Sequence, residues 1–145
     1  MRFSRWLVGY FGFIQIIHLL TLILAGVQLL HTGTVGFPAP PPLDGWPTSA
    51  IPFLLAMGFT DAILIIISEI FVLGFFKQKA WAMKIGLVAL SGSMATALVF
   101  ALATIPSGAW WLHPIAYGGM GVLFIPYVIL FIQILKQKII QPTEG

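Results

Sequence analysis

Three ionisable side chains, His18, Asp61 and Glu69, fall inside long apolar stretches of the chain. Inserting an acid near a bilayer centre costs roughly 2.5 to 3.5 kcal/mol, so such groups point first to function. At a helical rise of about 1.5 Å per residue, His18 stands about 17 Å from the basic end of its stretch, and Asp61 and Glu69 about 22 Å and 10 Å from the same end of theirs. The imidazole therefore lies at a depth between the two carboxylates and reaches toward either one if the two helices adjoin. Gln15 and Thr21, each three residues from His18, border its face. On the second helix the seven steps from Asp61 to Ser68 return almost to the same angle, leaving a discrepancy of about 20°. Gly58, Asp61, Ile65, Ser68 and Val72 then form one inward stripe, with Glu69 one step round the surface from Ser68.

Three kinds of chemistry would use these groups. Two carboxylates with a histidine between them could relay protons, because histidine titrates near neutrality. The same groups could hold a cationic or amine-bearing small molecule, walled by some of the twelve phenylalanines. Alternatively they are structural, since buried polar groups hydrogen-bond between helices and specify packing, each contributing on the order of 1 kcal/mol or less. At the other end, His31, Asp44 and His113 are of a type that suits zinc or nickel, though their spacing follows no short metal motif. Counting histidines excludes a two-haem bis-histidine protein, because nothing matches His18 at its depth; His31 and His113 leave room for one outer haem. No cofactor is implied.

The elements that must position these residues follow from composition. Of 145 residues 59% are hydrophobic and 8% are charged, and the mean hydropathy is +1.03. A chain of this size cannot hide so many apolar side chains in a globule, so a lipid bilayer is the expected solvent. Four apolar stretches, 7–30, 50–76, 81–105 and 114–135, are each long enough for the ~20 residues that cross a hydrocarbon core. The first has a basic start but is too long for a signal-peptide core and lacks a small-x-small cleavage site, so a retained helix is expected. Between the first two lies the proline-rich loop 31–49, in which Trp46 suits headgroup depth. Lys77-Gln78-Lys79-Ala80 is a tight turn, and Pro106-Ser107-Gly108 with Trp110 and Trp111 reads as an uncharged aromatic hairpin.

Charge placement orients the bundle. Arg2, Arg5, Lys77, Lys79, Lys84, Lys136 and Lys138 all flank one end, and the two opposite connections carry no basic residue. The positive-inside rule puts both termini and the Lys77–Lys79 turn in the cytoplasm, in a plasma or inner membrane. The lysines and arginines read first as topology determinants and second as an anionic-lipid or docking surface. A net charge of +3 spread in this way makes no nucleic-acid face. With no cysteine, disulfides, thiolate metal sites and cysteine nucleophiles are excluded.

The remaining signals concern packing. Ser91, Gly92, Ser93, Ala95, Thr96 and Ala97 form one small-residue patch, and Gly118, Gly119 and Gly121 another; each suits close helix packing or contact with another subunit. Pro126 is expected to kink the fourth helix and free a carbonyl. No phosphate-binding, dinucleotide, zincin or nucleophile-elbow motif occurs, and no internal repeat relates the two halves. In helix count, cytoplasmic termini and an acid in the second helix, the chain is similar to several families of small membrane proteins, DoxX-like proteins and the emopamil-binding group among them. That likeness rests on no contiguous motif and implies no residue roles. The expected fold is all-α, an integral membrane four-helix bundle with both termini inside and left-handed crossings of about 20°. The expected function is non-enzymatic: a polar interior that packs the bundle or binds a small lipophilic or cationic ligand, in a homo-oligomer or as an accessory subunit of a membrane complex. The rival is an enzyme or proton-coupled carrier with His18 and Asp61 or Glu69 as acid and base.

Overall fold

Glycine and proline set several of the helix ends. In a computed structural model, which describes residues 5–36 and 38–140, α1 (Arg5–Thr32) stops where Gly33 takes a left-handed φ of 71° and donates its N–H to the Leu29 carbonyl. That bond satisfies a carbonyl the helix end would leave bare. A 3-10 turn, Thr48–Ala50, leads into α2 (Ile51–Phe76), where Pro52 occupies the first turn and forfeits no helical hydrogen bond. α2 closes with Lys79 N–H bonded to the Gly74 carbonyl and Gln78 N–H to that of Phe75. This is the Schellman arrangement, with Gln78 at a φ of 54° where glycine is usual. A side chain in that region costs roughly 1 kcal/mol.

α3 (Ala82–Thr104) runs into a second 3-10 turn, Ile105–Ser107, and Gly108 then turns the chain into the short α4 (Ala109–Leu112). The aromatic hairpin expected here is thus helical. α5 (Pro114–Ile140) continues unbroken through Pro126. Proline there leaves the Val122 carbonyl without its helical donor, and the Tyr10 hydroxyl donates to the adjoining Leu123 carbonyl, 3.2 Å away. The described residues contain no strand. α1, α2, α3 and α5 are each long and apolar enough to cross a membrane, close to the four expected spans.

These four helices form a ring: α1 packs on α2 and α5, and α3 on the same two. Arg5 lies over Phe76, and Val8, Phe71, Ala82 and Ile134 share one core cluster, so the start of α1, the end of α2, the start of α3 and the end of α5 share one end, the basic one. The tight core is there, with Val8, Phe11, Phe71, Ala89, Leu90, Leu130 and Ile134 sealed from solvent. Toward the loop end the packing loosens. Among the described residues α1 has no buried side chain after Gln15, and α2 none before Ile65.

The two small-residue patches divide along the same line. Gly86 lies under the Phe71 ring, Gly92 faces Leu64, and Ser93 is buried, so the patch on α3 lets α2 approach closely. The α5 glycines differ from the packing role expected of them within the chain. A Cβ at Gly118, Gly119 or Gly121 would meet nothing within 4 Å among the described residues. Gly86→Ala would place a methyl 2.7 Å from the Phe71 ring. We expect a loss of about 1 to 3 kcal/mol in stability from that overpacking, whereas Gly119→Ala should be neutral or slightly stabilising through helix propensity. Thermal unfolding of the two variants in one detergent compares them.

Candidate functional site

Because α1 and α2 adjoin, His18 and Asp61 meet: Nε2 of the imidazole lies 3.8 Å from Oδ2 of the carboxylate. Opposite charges attract at that distance, but it exceeds the reach of a hydrogen bond, about 3.5 Å. Thr96 of α3 is placed to hydrogen-bond the same carboxylate. Its hydroxyl also lies 3.2 Å from the Ser93 carbonyl, and its single proton can serve only one of the two. Asp61 therefore keeps acceptor capacity that its neighbours do not fill. Nor is the pair sealed, since the side chains of His18 and Asp61 are 37% and 22% exposed. It sits beyond Gln15 and before Ile65, where the bundle loosens.

The other polar residues singled out by spacing go elsewhere. The Thr21 hydroxyl donates to the His18 carbonyl at 2.7 Å, within its own helix. Ser68 is fully buried on the expected stripe, and its hydroxyl donates to the Leu64 carbonyl at 2.7 Å, so it offers no free donor. Gln15 leaves the His18 face and donates from Nε2 to the Tyr127 hydroxyl of α5, 3.3 Å away, with both residues buried. Glu69 lies near enough to Tyr127 for a carboxylate there to act electrostatically on the phenol, which places it with this second group. Its Oε1 is buried without a hydrogen-bond partner among the described residues. The interior thus holds two polar centres, His18–Asp61–Thr96 and Gln15–Tyr127–Glu69.

Tyr10, Thr96 and Tyr127 join the polar centres without standing out in the sequence: Thr96 sits among small packing residues, and a tyrosine does not ionise near neutral pH. A hydroxyl in mid-helix beside Pro126 was the signal that could have found Tyr127.

At the loop end, proline carbonyls serve as acceptors. Tyr117 Oη donates to the Pro40 carbonyl at 2.7 Å, His113 Nε2 lies 3.1 Å from that of Pro41, and Trp46 Nε1 donates to that of Ala39 at 3.0 Å. Trp110 stacks on Tyr117 with centroids 4.8 Å apart and bonds Thr104 through its indole N–H. His31, Asp44 and His113 do not gather into a metal site: no group of three such ligands occurs among the described residues, and His113 is engaged with the loop.

Gln15 and Tyr127 give a direct test of a packing role. Tyr127→Phe should cost about 1 kcal/mol by leaving a buried amide donor unpaired, and Gln15→Leu in the same background should recover part of it. A double-mutant cycle read by thermal unfolding in detergent measures the coupling. Compared with models of protein families, with curated proteins and with solved structures, the chain matches none, so the chemistry of the site rests on these residues alone.

Proposed function

We propose that the chain is a multi-pass integral membrane protein of the plasma or inner membrane, with both termini and the Lys77–Lys79 turn cytoplasmic. Within it, the His18–Asp61–Thr96 site binds a small lipophilic amine. Support for the bilayer is the four apolar helices and the large side chains they turn outward, such as Leu30, Phe59, Leu102 and Ile115. No lysine or arginine occupies the opposite connections, which supports the orientation. The single observation that carries the ligand reading is Asp61, 3.8 Å from His18 and partly open where the helices loosen, so that its carboxylate can accept a further hydrogen bond. A protonated amine would supply the missing donor to the carboxylate, and its apolar body would lie against the helix faces. This is the work of a binding protein, and no bond need be made or broken.

The same pair favours one second reading. A histidine beside a carboxylate at mid-depth is the arrangement of a proton-coupled carrier. Asp61→Asn separates it from a packing role: it abolishes a pH-dependent transport while leaving the fold intact.

Binding is tested with the purified protein in nanodiscs, using dodecyldimethylamine and, as a neutral control, dodecanol. The amine should raise the unfolding temperature saturably, and Asp61→Asn should weaken its binding by roughly tenfold or more through loss of a charge-assisted bond. Glu69→Gln should leave it unchanged. Equal effects of amine and alcohol, or an indifferent Asp61→Asn, would end the ligand reading. Orientation has its own test, made clean by the absence of cysteine. Thr34→Cys should react with an impermeant maleimide on intact cells, and Gln78→Cys only after permeabilisation.

A further inference from the structure

At the basic end, a cavity of about 310 Å³ opens between the start of α1, the end of α2 and the start of α3. Arg5, Gln78 and Lys79 supply its polar lining; Phe75, Phe76 and Met83 supply apolar walls. The Arg5 guanidinium lies over the Phe76 ring, 5.6 Å from its centroid. A guanidinium that stacks on a ring in this way can still donate from its edge N–H groups. Among the described residues no carboxylate is within ion-pair distance of Arg5 or Lys79. Gln78 stands at a left-handed position where glycine would fit with less strain, and its amide lines the same cavity. The first turn of α3, Ala82 and Met83, borders the cavity with the positive end of that helix.

Positive charge, donors in a planar fork and flanking aromatic walls suit an anion carried on an apolar body. We propose that this cavity holds the phosphate-bearing headgroup of an anionic phospholipid, with Arg5 and Lys79 on the phosphate, the Gln78 amide donating beside them, and Phe75, Phe76 and Met83 against the glycerol and the first acyl carbons. Free phosphate shares the charge chemistry but has no use for the apolar walls. The assignment rests on the bilayer reading, because the cavity lies where the apolar helices end.

The test is native mass spectrometry of the full chain released from nanodiscs containing equal parts phosphatidylglycerol and phosphatidylcholine. Phosphatidylglycerol should be retained preferentially, and Arg5→Gln with Lys79→Gln should lower that preference on the order of tenfold to thirtyfold, as removal of two surface cations implies. Lys84→Gln with Lys136→Gln removes the same charge outside the cavity lining and should leave most of the preference intact. Equal losses in the two double variants would mean that net charge alone attracts the lipid, and would overturn the site. Displacement of the retained lipid by millimolar inorganic phosphate would assign the cavity to the free ion and overturn the lipid. A chain that fails to enter nanodiscs at all would overturn the bilayer reading itself, an outcome distinct from insertion without selectivity.

Discussion

Phe71 is the contact on which the rest of the bundle depends. Its ring fits against Gly86 of α3, where any side chain would collide, and it meets Phe11 of α1 at a centroid distance of 6.0 Å. Phe11 in turn packs edge-on against Tyr127 of α5 at 4.7 Å, so one connected aromatic group touches all four long helices. Between helices in lipid, close packing takes the place of a hydrophobic drive, and aromatic pairs of this geometry add about 0.5 to 1.5 kcal/mol each. Fixing the helices at this level, near the basic end, leaves their opposite halves free to diverge.

Polar groups are treated differently on either side of that level. Close to the aromatic contact, Gln15 donates to Tyr127 and Ser68 bonds its own helix, while Glu69 keeps one buried oxygen without a partner among the described residues. Farther along, His18 and Asp61 face each other without closing a hydrogen bond, and both are partly open. Polar groups left partly open in this way add less to the packing of a bundle than a closed hydrogen bond would.

Much of this was legible in the sequence. Four apolar stretches, the tight Lys77–Ala80 connection and the inward stripe from Gly58 to Val72 follow from length and helical period, and the buried Ile65 and Ser68 lie on that stripe. Whether α1 and α2 adjoin, and whether His18 meets Asp61 or Glu69, was not legible, because the connection 31–49 is long enough to allow other arrangements; the structure brings His18 to Asp61. Periodicity could not show that Gln15 would turn to α5, because it gives angles on one helix and not the identity of the helix each angle faces. Nor could it divide the glycines: Gly86 and Gly119 look alike as residues, and only the neighbouring helix decides which one is a close approach. Tyr127 was hidden by its own chemistry, an aromatic ring that passes for core until its hydroxyl finds an amide.

The proline-rich loop begins at α1 and ends at α2, yet its carbonyls are bonded to Tyr117 and His113 near the start of α5. It is therefore a cross-brace over the wide end of the bundle. Prolines cannot stretch into a strand or coil into a helix to yield length, so the spread of the helices beneath is limited to what the brace allows. The connection between α1 and α2 thereby ties the start of α5 to both of them, and α5 cannot part from them at that end without first breaking those two contacts.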